Sequence, residues 1–229
     1  MSKLLLFDLD GTLISTGGAG KRAIENMFLE RYGIKNALQG IEGRGRTDPA
    51  IFVDVLRQKI GREPDSGELE KLIEVYPNFL RPQVETSSGY KLLGGIQDFL
   101  ETVAKIPGVY LALGTGNLEN GARIKLERSG LNRFFPVGGF STDSIERPQL
   151  IARASVKAEK HYRQKFIKDD IFVIGDTVLD IAAARACGFK SAAVGCGMAG
   201  KEELLKAKPD FYFEDYSNPR EWIKQLGLT

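Results

Sequence analysis

Leu4-Leu5-Leu6-Phe7-Asp8-Leu9-Asp10-Gly11-Thr12 is an apolar run that stops abruptly on two acids. Four consecutive apolar residues make a strand buried on both faces, as at the centre of a parallel sheet. In open α/β sheets the carboxyl ends of the strands face the ligand crevice, so Asp8 and Asp10 are delivered to a site. Alternation along extended backbone puts both on one side and turns Leu9 into the core. Their chemistry is that of a carboxylate nucleophile beside a second carboxylate, with a metal between them to offset the repulsion. The plainer alternative is a polar strand-to-loop turn, because Asp and Gly are ordinary turn residues.

After Thr12 the apolar spacing is helical as far as about residue 88, with no strand expected. The first helix spans 19–32, with Ala23, Ile24, Met27, Phe28 and Tyr32 on one face. A glycine-rich, charged passage, Gly40-Ile41-Glu42-Gly43-Arg44-Gly45-Arg46-Thr47-Asp48-Pro49, leads to a helix through about residue 60. Thr47 or Asp48 has the form of its N-cap, with Pro49 at the start of the helix. A third helix runs from Ser66 to about Val84, kinked or broken by Pro77 and Pro82. Residues 15–88 thus form an all-helical insertion with the look of a lid; the alternative is helices packed on the sheet without independent motion.

From about residue 90, strands alternate with helices. Strands are expected at 109–113, 134–137, 171–174, 191–194 and 211–213. Helices are expected at 96–105, 119–129, after Pro148, at 179–186, from Lys201, and at the end of the chain to Leu226. That alternation means a Rossmann-like parallel α/β sheet with helices on both faces and right-handed crossovers. The core domain is 1–14 with 89–229, and the helical insertion is 15–88.

Composition sets broad limits. The chain has 229 residues, 42% of them hydrophobic, and a net charge of +2 from 32 basic and 30 acidic side chains. Near balance, with no basic stretch interleaved with aromatics, predicts no nucleic-acid partner. No apolar run approaches the roughly 18 residues of a membrane span, so no membrane association is expected. Cys187 and Cys196 form no CxxC pair and read as free thiols of a reducing compartment, with the cytoplasm as the default. Nothing in the pattern specifies an oligomeric state.

Three strand ends carry matching chemistry. The first offers Asp8 and Asp10. The second offers Thr115 in the turn Gly114-Thr115-Gly116-Asn117. A later one offers Asp176, with Asp180 four residues on in the first turn of the next helix. On these motifs the chain resembles the haloacid dehalogenase-like phosphohydrolases, and within them the phosphoglycolate phosphatase type with a small helical cap. Asp8-Leu9-Asp10-Gly11-Thr12 matches the first family motif, Leu113-Gly114-Thr115-Gly116-Asn117 the second, and Gly175-Asp176-Thr177-Val178-Leu179-Asp180 the fourth. The resemblance implies that Asp8 is the nucleophile that becomes an aspartyl-phosphate, and that Asp10 is general acid and then base. It implies that Mg2+ is held by Asp8, the backbone carbonyl of Asp10, and Asp176, with Asp180 in support. It also implies that Thr115 and Gly116 bind the phosphoryl group, with Asn117 beside them. A small phosphorylated metabolite is then the partner.

The residue chemistry agrees with these roles. Mg2+ is usually held by one or two carboxylates together with substrate phosphate and water. Amides that open a helix are a favourable anion site. The third family motif is normally a lysine before proline, and here Arg147 precedes Pro148; arginine keeps the charge but is a planar fork rather than a compact ammonium. Lys157 and Lys160 are the fallback positions. Arg44 and Arg46, in the glycine-rich passage, suit a second anionic group on the substrate, against a solvated loop as the alternative. A phosphomutase uses the same core residues, and a binding protein without turnover keeps the same fold.

Two further features carry less. Gly195-Cys196-Gly197-Met198-Ala199-Gly200 has the GxGxxG form, with Asp215 beyond it, but reads as a tight βα connection because no second mononucleotide-binding half follows. His161, the sole histidine, reads as a solvated helix residue.

Overall fold

The computed structural model describes residues 2–228. The chain opens with β1 (Lys3–Phe7), β2 (Ile14–Thr16) and three helices, α1 (Ala19–Tyr32), α2 (Asp48–Val55) and α3 (Glu68–Glu85). Then come β3 (Tyr90–Leu92), α4 (Ile96–Val103), β4 (Val109–Gly114), α5 (Glu119–Glu127), β5 (Gly138–Gly139) and α6 (Arg147–Tyr162). The last elements are β6 (Ile171–Gly175), α7 (Val178–Cys187), β7 (Lys190–Val194), α8 (Lys201–Lys206), β8 (Phe211–Phe213) and α9 (Pro219–Leu226).

Six strands form one parallel sheet in the order β5-β4-β1-β6-β7-β8. β1 is a central strand, with Leu5 opposite Leu111 on one side and Phe172 on the other. Because its side chains alternate, β1 needs apolar cover on both faces. Leu4 and Leu6 pack with Ala112 and Val173 under α6 and α7, through Leu150, Ile151, Ala154, Ala183 and Ala184. Leu5, Phe7 and Leu9 pack with Leu113 and Ile174 under α4 and α9, through Phe99, Leu100 and Trp222. Helices therefore cover both faces of the sheet. Burial of Leu9 with Leu5 and Phe7 leaves Asp8 and Asp10 on the opposite side of the strand end.

α1, α2 and α3 enclose a separate apolar cluster built on Met27, Phe28, Phe52, Leu72, Tyr76 and Leu80. Leu118 and Ile124 join that cluster and dock the helical layer on α5. The chain enters and leaves this layer through an antiparallel two-stranded ribbon in which Ile14 of β2 faces Leu92 of β3.

Three local expectations are corrected. First, β2 is a strand in a stretch expected to hold none; its short pairing with β3 is a long-range event that helical spacing does not encode. Second, α3 runs unbroken through Pro77 and Pro82. Its buried stripe Leu72, Tyr76, Leu80 and Val84, repeating every fourth residue, outweighs the two missing backbone donors. Third, the strand expected over 134–137 is a 3-10 turn, Leu131–Phe134, followed by the two-residue β5; Pro136 has no N–H for a ladder. Thr47 takes the N-cap position of α2, as expected, but without a side-chain capping bond. Its hydroxyl donates instead to the Ile145 carbonyl at 3.1 Å.

Leu6 has no exposed surface. Leu6→Ala is expected to cost about 2–5 kcal/mol through lost burial and the cavity left behind. Urea denaturation measures it, and a loss below about 1 kcal/mol is incompatible with the packing described.

Candidate active site

Asp8 leaves β1 with its N–H donating to the Ile174 carbonyl at 2.9 Å, so pairing with β6 fixes the residue that follows the strand. Its side chain is buried beside that of Thr115, which follows β4. Asp176 follows β6. It accepts from the Thr12 hydroxyl at 3.0 Å and from the Met198 N–H at 2.6 Å. Gly11 makes this approach possible: its φ is +82°, and a Cβ there would lie 2.3 Å from Asp176 Oδ2. Asp180 sits in the first turn of α7 and accepts from the N–H (3.1 Å) and hydroxyl (2.6 Å) of Thr177. That capping box satisfies the helix start and fixes the carboxylate.

Arg147, the first residue of α6, ties these groups together. Its Nε donates to Asp180 Oδ1 at 3.1 Å, and its Nη2 reaches Asp180 Oδ1 and, at 3.1 Å, Asp8 Oδ2. Its Nη1 donates to the Gly45 carbonyl at 2.8 Å, on the loop ahead of α2. Carboxylate oxygens of Asp8, Asp176 and Asp180 all lie within 4.8 Å of one another.

A second buried network lies beside the first. Asp10 Oδ2 accepts from Asn117 Nδ2 at 3.0 Å and from Lys125 Nζ at 2.5 Å. Lys125 also donates to Asn117 Oδ1 at 2.5 Å, and Asn117 Nδ2 reaches Thr115 Oγ1 at 2.8 Å. Asp48 approaches from the helical layer, its carboxylate accepting from the Leu118 N–H at 2.9 Å. Lys125 was not singled out from the sequence. Its signal was a lysine on the apolar stripe of α5, at i+7 from Leu118 and i+3 from Ala122.

Burial sets the electrostatics. It raises the Asp8 carboxyl from 3.8 to about 6, with Arg147 pulling it down and Asp180 pushing it up. Asp176 rises to about 7, through burial and then the charges of Asp8 and Asp180. Asp48 rises to about 6, mainly by burial, with Lys125 opposing. For Lys125 burial alone would favour the neutral amine, but Asp10 and Asp48 outweigh it and keep the ammonium.

The residues expected to act are thus distributed unevenly. Asp8, Asp10, Thr115, Asn117, Arg147, Asp176 and Asp180 converge on one crevice. Gly116 lies under the loop ahead of α2: its carbonyl accepts from the Asp48 N–H at 2.9 Å, and a Cβ there would sit 2.6 Å from the Arg46 carbonyl oxygen. Arg44 and Arg46 line the same cavity, but both guanidiniums are engaged by the protein. Arg46 pairs with Asp54, and Arg44 donates to the Met198 carbonyl at 3.2 Å. Lys157 pairs with Asp143 at 2.7 Å, while Arg147 is the cation that reaches Asp8. Gly195–Gly200 wraps Asp176 through Met198, and His161 is exposed. The cavity measures about 590 Å³ and is lined by Asp8, Asp10, Asn117, Lys125, Arg147 and the loop Glu42–Arg46. No helix among the described residues is long and apolar enough to cross a membrane.

Acids and a hydroxyl at three strand ends, with the buried guanidinium that opens α6, make the arrangement of an α/β enzyme. The chain belongs to the haloacid dehalogenase-like hydrolase family, which matches residues 5–194. It is 26% identical over 216 residues to pyrophosphatase PpaX of Halalkalibacterium halodurans, covering 90% of each chain. The fold is similar to that of CbbY from Rhodobacter sphaeroides, solved with phosphate, at a TM-score of 0.71, with 18% identity and 95% and 96% of the two chains covered. It is also similar to a predicted phosphoglycolate phosphatase from Haemophilus somnus, at a TM-score of 0.65, with 20% identity and 96% and 97% covered.

The raised carboxyls make stability depend on pH. Between 3.8 and about 7 the folded chain holds protons on Asp8 and Asp176 that the unfolded chain has released. The folded state binds more protons over that window, so its stability falls as pH rises through it. In chelator, thermal denaturation from pH 5 to pH 8 is expected to show this fall, and Asp176→Asn is expected to flatten it. A Tm that climbs with pH across the window would contradict the burial of these charges.

Proposed function

We propose that this phosphohydrolase releases phosphate from a small phosphate monoester, of the phosphoglycolate kind, through an aspartyl-phosphate on Asp8. The observation that carries the reading is the division of labour between two carboxyls two residues apart. Asp8 is buried against Arg147 and Thr115, whereas Asp10 turns to Asn117 and Lys125 and lines the cavity. A covalent route needs such a pair, one group to attack and another to move protons.

The Asp8 carboxylate attacks phosphorus, the bond from phosphorus to the leaving oxygen breaks, and Asp10 gives that oxygen its proton. Asp10 then takes a proton from water as the water attacks the aspartyl-phosphate, releasing phosphate and restoring Asp8. The Thr115 hydroxyl and the Gly116 N–H bind phosphoryl oxygens, and Arg147 balances their charge beside Asp8.

Mg2+ fits the residues present. Three buried carboxylates within 4.8 Å supply hard oxygen donors, and two of them have raised pKa values that a dication relieves. Asp8, Asp176 and the Asp10 carbonyl would hold it, with Asp180 supporting through Arg147 and Thr177. Bound there, the ion neutralises phosphoryl charge and the repulsion between carboxylates.

Residues 15–88 act as the cap over this crevice, excluding water, while the Nη2 groups of Arg44 and Arg46, which carry no protein bond among the described residues, meet an anionic group on the leaving part. The relative named a pyrophosphatase supports a small phosphorylated substrate, and a cavity of about 590 Å³ suits one. The free thiols Cys187 and Cys196 are in keeping with the cytoplasm.

Phosphate release from a panel of phosphomonoesters and pyrophosphate, with Mg2+ and with chelator, tests the reading. Asp8→Asn is expected to cost about 10³-fold or more in kcat, and chelation to abolish release. Arg147→Ala is expected to cost about 10²–10³-fold while the chain stays folded. Full release by Asp8→Asn would overturn the covalent route.

A further inference from the structure

Lys125 is a core residue on α5, 4% exposed, and none of the steps above uses it. Its ammonium donates to two acceptors at 2.5 Å, Asp10 Oδ2 and Asn117 Oδ1. An ammonium only donates, so the Asn117 amide must turn its oxygen toward Lys125 and its nitrogen away. That nitrogen then donates to Asp10 Oδ2 at 3.0 Å and to Thr115 Oγ1 at 2.8 Å. Lys125 therefore acts on Asp10 twice, directly and by fixing the amide that supplies the second bond.

Both bonds fall on the same carboxyl oxygen. Among the described residues no donor reaches Asp10 Oδ1, in a side chain that is 29% exposed and lines the cavity. A carboxyl gripped through one oxygen presents the other in a fixed direction, which is what proton delivery to a leaving group requires.

We propose that Lys125 is a positioning residue for proton transfer: it clamps Asp10 Oδ2, with Asn117, so that Oδ1 meets the leaving oxygen. The proposal rests on the reading of Asp10 as general acid. The nearby Asp48 shares the charge of Lys125 but not its hydrogen bonds, because the Asp48 carboxylate takes its hydrogen bond from the Leu118 N–H.

The test is the dependence of turnover on the leaving group. p-Nitrophenolate departs with little help from a proton, whereas a simple alkoxide needs one. Native chain, Asp10→Asn and Lys125→Met are assayed with p-nitrophenyl phosphate and with an alkyl phosphate monoester. Asp10→Asn and Lys125→Met are each expected to lose at least about tenfold more kcat on the alkyl ester than on the nitrophenyl ester. The ratio of the two rates is independent of the fraction of chain folded, so a destabilised variant still reports. Equal loss on both esters by Lys125→Met, with unequal loss by Asp10→Asn, would make the lysine merely structural and overturn this inference alone. Equal loss by Asp10→Asn as well, or no hydrolysis by the native chain, would overturn the acid role of Asp10 and the inference with it.

Discussion

The contact between Arg147 and the carboxylates of Asp8 and Asp180 is the constraint on which the site depends. Three acids from two strand ends are gathered in a crevice where none has much water, and an unopposed cluster of that kind is unfavourable. A guanidinium offers a planar fork of donors and stays charged when buried, so it can bridge two carboxylates that a single ammonium would serve less well. Here it also donates to the Gly45 carbonyl. One side chain therefore links the central strand, the start of α7 and the helical layer.

The crevice is built on two buried cations rather than one. Arg147 serves Asp8 and Asp180, while Lys125 serves Asp10 and lies near Asp48. The two acids of the first strand end are thus partitioned: neighbours in sequence, they answer to different cations on different helices. α6 packs on one face of the sheet and α5 on the other, so the partition follows from the two-sided cover of β1.

The loop ahead of α2 closes over the carboxyl ends of the strands through bonds in which a backbone group meets backbone or a side chain. The Gly45 and Gly116 carbonyls and the Asp48 and Leu118 N–H groups make the contacts, with Thr47 bonded to Ile145. The close approach at Gly116 leaves no space for a side chain. Such an interface holds the loop in register with the crevice. Most of the apolar attachment of the helical layer lies elsewhere, in Leu118 and Ile124 against α1–α3.

Much of this was legible in the sequence. The parallel sheet follows from apolar runs alternating with helical spacing, and the acids at the strand ends follow from the abrupt end of two such runs, since local pattern alone dictates both. What local pattern cannot carry is pairing over distance. Lys125 meets Asp10 across 115 positions, Arg147 meets Asp180 across 33, and β2 finds β3 only after the whole helical layer has been threaded. Pro77 and Pro82 looked like breaks because propensity is a local quantity, whereas the buried stripe that keeps α3 intact exists only once α1 and α5 are in place. The sequence by itself determined the sheet, its central strand and the carboxylates delivered to its edge. Only the tertiary structure decided which cation each carboxylate answers to, because the burial that makes those pairings strong is a property of the assembled fold.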